Sequence, residues 1–513
     1  MSILQWFIFF LVLQVVHYLG TWKLYEKAGR KSWEAAIPVY NAIVLMKIIN
    51  RPTWWTALLF VPVVNLIMFI VVWVETLRSF GKNTTKDTIL GVVTLGFYIY
   101  YINYFEDVTY KRDRSLVATT KTGDTVSSLL FAIVVATMVH GYILQPFNIP
   151  SASLEKSLLI GDFLFVSKFH YGARTPKTAI ALPMVHDSIP IIGTKSYLSW
   201  PQLPSFRFPG LQAIKRNDIV VFNWPNDTVY RFFDTSKRHV DKPLDKRTNY
   251  VKRCQGIAGD NVSIKNGDVY INNKRLILPE RSKIQYSYTV VTDGSALDGK
   301  YIVQDLQITD GVYPIAENTY LFRAVTDEAA AKVRQITGVK SVTKNINTEP
   351  DLAVFPHTQN WNIDNYGPIY IPEAGKTVAL NKESLPFYRR LITIYEGNKL
   401  EEKGGQIFIN DKLATNYTFQ QDYYWMMGDN RPNSEDSRYW GFVPFDHVVG
   451  KPVFIWWSID PNLPWSQAID KIRWDRLFCT VGGDGQPTSY FKYFLILLVG
   501  WFGFDYFRKK RKG

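Results

Sequence analysis

Hydrophobic and polar positions along the 513-residue chain follow two regimes. Toward the N-terminus and at the extreme C-terminus, apolar residues form unbroken runs. Between them, apolar and polar residues alternate over short segments. Five runs stand out: Ile3 to Leu19, Thr56 to Val74, Thr88 to Tyr104, Ser127 to Leu144 and Tyr490 to Phe507. Each is near the ~20 residues that carry a helix across ~30 Å of hydrocarbon. A buried or interfacial helix is the competing reading. It is weakest for the second, fourth and fifth runs, which are almost free of charge, while the third carries several tyrosines. Residues 36–49 (AIPVYNAIVLMKII) are shorter and read as interfacial or re-entrant. The first run lacks a basic leader and a small-x-small cleavage site, so it reads as an uncleaved span rather than a signal peptide.

The middle of the chain is β-patterned. DIVVFNW (218–224) is a strand, and NVSIKNGDVYINNKRL (261–276) is a hairpin turning at Asn266-Gly267, a strong short-range turn signal. QIFINDKLA (406–414) resembles one arm of another hairpin, and EAAAKVRQI (328–336) is a short helix. Residues 277–405 carry few chemical signals and read as an inserted β-rich region. The expected fold class is therefore membrane-anchored and mainly β. About three transmembrane helices lie in 1–125, with an anchor at 126–146 and a β-rich domain at 147–460. A linker (461–489), a C-terminal span (490–507) and a basic tail (508–513) follow.

Charge adds orientation. The net charge is +14, and the Lys and Arg residues flank the apolar runs. Lys23, Lys27, Arg30 and Lys31 follow the first run; Lys111, Arg112, Arg114 and Lys121 precede the fourth; Arg508 to Lys512 end the chain. Placing all three clusters in the cytoplasm gives a multi-pass protein of the cell membrane, N-terminus outside, with 147–460 on the extracytoplasmic face. A basic balance suits an anionic lipid surface. No zinc finger, homeodomain or single-strand-binding signature points to nucleic acid. Cys254 and Cys479 are the two cysteines, too few for a disulfide framework or a metal site. One bridge or two free buried thiols both remain open.

The chain has no HExxH, CxxC, P-loop, GxGxxG or GxSxG motif, and His170 has no companion that would make it a base. Three other segments hold candidate chemistry. The first is QPFNIPSASLEKSLLIGDFLFVSKFHYG (145–172), where Ile149-Pro150 leads into Ser151-Ala152-Ser153. On an extended chain Ser151 and Ser153 fall on one side, although turn serines explain the bare pattern equally well. The second is NYVKRCQGIAGDNVSI (249–264). Lys252 at a strand end ordinarily points to solvent; buried instead, its pKa falls and a neutral amine becomes a base. The third is YWMMGDNRPNSEDSRYWGFVP (424–444), where Asp436 and Arg438 can pair and Ser434 can bond an amine, or where turn residues simply form a polar loop.

In this order, IPSAS, TNYVKRCQGIAGD and GDNRPNSEDSRYWGFVP resemble the signature boxes of type I signal peptidases, the leader peptidases, which are serine/lysine-dyad membrane proteases. The resemblance covers about 145–276 and 405–455, leaving 277–405 as a variable insert and 1–125 outside it. It implies a serine endopeptidase that removes signal peptides from exported precursors, without metal or organic cofactor. Its implied partners are signal peptides, the lipid bilayer and the export machinery. It assigns Ser153 as nucleophile, Lys252 as general base and Ser151 to the oxyanion hole. Ser434 would orient the amine, Asp436 and Arg438 would hold its loop, Gly428 would allow close backbone approach, and Ile149 and Pro150 would line a small substrate pocket. The chain departs from the family box S-[GA]-S-M-x-P-T-L at Leu154, Lys156 and Ser157, and has Pro432 where Asp is usual. The change to Lys156 is expected to loosen the turn. A non-catalytic membrane scaffold and a self-processing Ser/Lys peptidase are the alternatives; the latter are soluble and DNA-linked, which the apolar runs oppose.

Overall fold

The computed structural model describes residues 1–117, 120–230 and 239–511; Lys512 and Gly513 of the basic tail lie outside the described residues. The chain divides into two compact units. One comprises Met1–Ile143, Arg174–Phe208 and Thr228–Arg247; the other comprises Leu144–Ala173, Pro209–Asp227 and Thr248–Gly513.

The first unit is largely helical: α1 (Ile3–Lys27), α2 (Tyr40–Ile48), α3 (Trp55–Leu58), α4 (Val64–Ser79), α5 (Thr85–Val93), α6 (Tyr98–Phe105) and α7 (Lys121–Met138). Ser2 caps α1 by accepting from the Gln5 N–H at 3.2 Å, which satisfies one of the free amides of the first turn. Among the described residues two helices are long and apolar enough to cross a membrane, Ile3–Lys27 and Lys121–Ile143, and a third span results if α5 and α6, bent by 117°, count as one. The protein is therefore membrane-anchored. The apolar runs are less regular than their composition suggests. The second is split between α3 and α4, where Pro62 is followed by Val63 at φ 69°; proline lacks the donor that a continuous helix needs. The third bends where Leu95 and Gly96 take positive φ. Residues 36–49 contain α2, whose Val44, Met46 and Ile48 are buried with Leu24 and Tyr25 of α1.

The second unit is β-rich. Its central sheet runs β1 (Leu144–Asn148), β2 (Asp162–Ser167), β20 (Val448–Ser458), β3 (Ile219–Asn223), β4 (Asn249–Gly256), β18 (Tyr423–Met427) and β19 (Val443–Pro444), with β21 (Cys479–Thr480) on β20. All these pairs are antiparallel. A second sheet holds the expected hairpin, β5 (Asn261–Lys265) and β6 (Asp268–Ile271), between β7 (Lys274–Arg275) and β12 (Tyr366–Tyr370). Its turn residues Asn266 and Gly267 have φ 52° and 83°, the left-handed pair that an Asn-Gly turn supplies cheaply.

Within 277–405, β8 (Gln285–Thr292), β9 (Val312–Ala316), β10 (Thr319–Thr326) and β11 (Val339–Lys344) form a third sheet in the order β11-β8-β10-β9. Helix α8 (Asp327–Val333) packs on it through Ala330 and Val333. The small pair β13 (Thr377–Ala379) with β17 (Asn416–Thr418), and the ribbon β14 (Leu400–Lys403), β15 (Gln406–Ile409) and β16 (Lys412–Leu413), complete the unit. The last C-terminal helix, Phe491–Lys510, buries none of its residues. Both cysteines are free and buried.

Candidate active site

Strands β1 and β2 are a hairpin, and its connecting loop carries the candidate serines. The loop is closed at its base by Ile149 N–H to the Asp162 carbonyl (2.9 Å) and Gly161 N–H to the Ile149 carbonyl (3.0 Å). Gly161 has φ 89°, and a Cβ there would lie 2.0 Å from the Ile459 carbonyl oxygen, so only glycine fits. Ser151 is extended (φ −134°, ψ 154°), after which Ala152–Leu154 form a 3-10 turn. The expectation of an extended chain with both serines on one side thus holds only as far as Ser151. The turn lifts Ser153 into a buried position, 6% exposed, while Leu154 and Leu158, each 1% exposed, anchor it in the core with Leu164 and Ile455. Leu154 therefore keeps the apolar anchor that Met supplies in the family pattern. Ile149 belongs to the same core cluster, and Pro150 is exposed.

Strand β4 passes beside this turn in the sheet interior, between β3 and β18. Lys252 pairs with Val220 of β3 and is 3% exposed. Burial pushes its amine down to about 8, although Asp436, Glu435 and Asp429 favour the charged form; Arg438 adds to the depression. Its nitrogen also lies 5.5 Å from the Tyr250 ring centroid. Among the described residues no hydrogen bond joins the Lys252 amine to Ser153 or to Ser434. Catalytic hydrogen bonds are often long before substrate binds.

Strand β18 delivers the third segment. Met427 pairs with Arg253 of β4, and the chain then turns through Gly428. A Cβ on Gly428 would lie 2.3 Å from Ser434 Oγ and 2.5 Å from the Ser153 carbonyl oxygen, so the backbone here passes close to both. The Asn430 N–H donates to that same Ser153 carbonyl at 3.1 Å. Asp436, fully buried, accepts from Gly428 N–H (3.1 Å), the Ser434 hydroxyl (2.7 Å), and Arg438 Nε and Nη2 (2.8 and 2.9 Å). Burial alone would raise the Asp436 pKa; the Arg438 guanidinium, together with Lys252 and the Ser434 hydroxyl, outweighs it and holds the carboxyl below its usual range. The Ser434 hydroxyl donates to Asp436, which leaves its oxygen lone pairs able to accept a further donor.

The structure adds residues that the sequence patterns did not single out. Arg253 and Asp429, both buried, form a bidentate pair: Nε to Oδ1 at 2.7 Å and Nη2 to Oδ2 at 2.5 Å. The Ser157 hydroxyl donates to Asp429 Oδ2 at 2.5 Å, and Arg253 Nη2 donates to Ser157 Oγ at 3.1 Å. This group bolts the Ser153 turn to β4 and to the Gly428 loop. Its members lie far apart in sequence, so no local spacing announces them. Tyr250 donates to Glu435 at 3.3 Å. Cys254 is enclosed with Val220 and Met426, and burial pushes its thiol pKa well up, which leaves it a poor nucleophile. His170 contacts Ser167 Oγ at 2.5 Å. Among the described residues no group of three or more His, Cys, Asp or Glu could hold a metal ion.

The family model described as "Signal peptidase, peptidase S26" matches residues 122–330 and 374–457, more than half of the chain. The chain belongs to this signal peptidase family. The match brackets all three segments that meet at Ser153, Lys252 and Gly428. Relatives named Signal peptidase I include those of Buchnera aphidicola subsp. Schizaphis graminum, 27% identical across 65% of this chain and 75% of the relative, and Helicobacter pylori, 27% identical across 70% and 92%. The Rickettsia typhi relative is 25% identical across 70% and 95%. Upstream of the peptidase match, residues 33–113 match a family of unknown function, DUF5684.

Proposed function

We propose that this chain removes signal peptides from exported precursors, with Ser153 as nucleophile and Lys252 as general base. One observation carries the reading: a lysine at 3% exposure, its amine depressed to about 8, stands on a strand beside the turn that buries a serine. A neutral amine takes the Ser153 hydroxyl proton as the oxygen attacks the scissile carbonyl. The Ser151 hydroxyl and the Ser153 N–H stabilise the oxyanion, a donor of this kind being worth about 10²–10³ in rate. The lysinium protonates the leaving amine, and the same amine deprotonates water for hydrolysis of the acyl-enzyme. Ser434, held by Asp436, orients Lys252; Asp436 and Arg438 fix that loop, and Gly428 lets the two segments close.

Strand β1 is the edge of its sheet, a position that suits an extended substrate added as a further strand. Ile149 and Pro150 border the start of that strand's exit loop and shape a pocket for small side chains. The chain is multi-pass with the Phe491–Lys510 helix as a further span, and residues 147–460 lie on the extracytoplasmic face, within reach of the export machinery. The test is processing of a precursor by membranes carrying the full chain. Ser153→Ala leaves the precursor uncut while unfolding as the wild type does, and Lys252→Arg, permanently charged, leaves it uncut as well. Full processing by either variant removes that residue's role, and absence of processing by the wild type would leave only a scaffold.

A further inference from the structure

We infer that the inserted sheet β8–β11 clamps the Ser153 turn in its working shape, with Asp310 as a positioning residue. The inference rests on Ser153 being the nucleophile. Lys156 stands where the family pattern has proline, and it has φ 71°. Proline is locked near −65° and cannot adopt that conformation. Positive φ is also unfavourable for lysine, so something outside the turn must hold it. The Lys156 amine donates to the Gln307 carbonyl, which lies in the insert. The expectation that this substitution loosens the turn is therefore corrected: a tie to the insert stands in for the ring.

Four more hydrogen bonds run the same way. Asp310 Oδ2 accepts from Asn430 Nδ2 at 2.8 Å and from Asn433 Nδ2 at 3.3 Å. Gln285 Nε2 donates to the Glu155 carbonyl at 3.0 Å, and the Gln285 N–H donates to the Asp429 carbonyl at 2.9 Å. Asn430, with no exposed surface, is the residue whose N–H holds the Ser153 carbonyl. The path from Asp310 to the nucleophile is thus two hydrogen bonds long. The segment bearing Gln307 and Asp310 is itself rigid, because Leu306 and Ile308 sit in the insert's core at 7% and 2% exposure. Anchors on a packed platform hold a site more tightly than a free loop does. Asp310 is not among the leading influences on the Lys252 amine, which are burial and then Asp436, Glu435, Arg438 and Asp429.

The experiment compares the full-length wild type with Asp310→Ala, Asp310→Asn and Lys156→Pro, with Ser153→Ala as control. It reads kcat and KM on a small-residue peptide, the pH midpoint, thermal unfolding, and hydrogen exchange of 151–158 and 428–434. Misplacing a reacting group by a fraction of an ångström costs about tenfold or more. Asp310→Ala therefore lowers kcat about tenfold, leaves KM and the pH midpoint in place, and speeds exchange in both segments but not in β8–β11. Asp310→Asn, which keeps an acceptor oxygen, restores most of kcat. Lys156→Pro lowers kcat, although it brings back the family residue. Unchanged exchange in Asp310→Ala overturns the clamp. Faster exchange with unchanged kcat overturns the positioning role. Turnover retained in Ser153→Ala sinks the nucleophile assignment instead, and with it the catalytic meaning of the clamp.

Discussion

The pH dependence of turnover follows directly from the position of Lys252. Its side chain lies inside the sheet, and the cost of burying an ammonium lowers its pKa from 10.5 to about 8. The base is the neutral amine, so kcat/KM follows the neutral fraction. That fraction is roughly one-tenth at pH 7 and roughly one-hundredth at pH 6, and it approaches unity above pH 9. The perturbation that probes the origin of this midpoint is Glu435→Gln. Glu435 stabilises the ammonium electrostatically, so removing its charge moves the midpoint below that of the wild type and raises relative activity at pH 6. The assay is steady-state cleavage of a peptide with small residues at the first and third positions before the cut, from pH 5.5 to 10.5. A flat profile, or a midpoint at the ordinary lysine value, refutes a buried neutral base. A midpoint that rises in Glu435→Gln refutes the electrostatic account of its position.

Other outcomes are equally direct. Between pH 8 and 10.5 the unfolded chain keeps a proton on Lys252 that the folded chain has lost. Stability therefore rises with pH across that window, by about 3 kcal/mol, and the wild type minus Lys252→Met difference in chemical denaturation shows it. The difference is flat below pH 8. Gly428→Ala places a methyl against Ser434 Oγ and the Ser153 carbonyl, and lowers kcat by about 10²-fold or more by parting the segments; wild-type kcat would mean that this approach is immaterial. Asp429→Ala leaves the buried Arg253 guanidinium unpaired and costs about 3–5 kcal/mol of stability, read as a lowered denaturation midpoint; a loss under 1 kcal/mol would show that water compensates for the pair.

The site was legible where its chemistry is local. Ser434, Asp436 and Arg438 lie within five residues and meet as their spacing suggests. The Asn266-Gly267 turn was legible for the same reason. Lys252 was not readable from alternation, because Lys252, Arg253 and Cys254 are all buried in succession; both faces of β4 are covered at that point, and a period of two carries no signal. The Arg253–Asp429 pair joins residues 176 apart, and the Asp310–Asn430 bond joins residues 120 apart. Such contacts depend on tertiary packing alone. The breaks near Pro62 and Gly96 were passed over because an apolar run reports hydrophobicity and not continuity of hydrogen bonding, although Pro62 itself is a local signal of a break. At Ser151-Ala152-Ser153 the sequence left a turn and an extended chain both open, because Ser-Ala-Ser suits either, and the structure has the 3-10 turn at Ala152–Leu154.

The central claim is a covalent one, and trapping tests it most directly. Full-length protein is mixed with a peptide ester, quenched in acid during turnover, digested and mapped by mass. The account predicts an acyl group on Ser153, present in the wild type and missing from Ser153→Ala. An acyl group on another residue, or one that persists in Ser153→Ala, would contradict it.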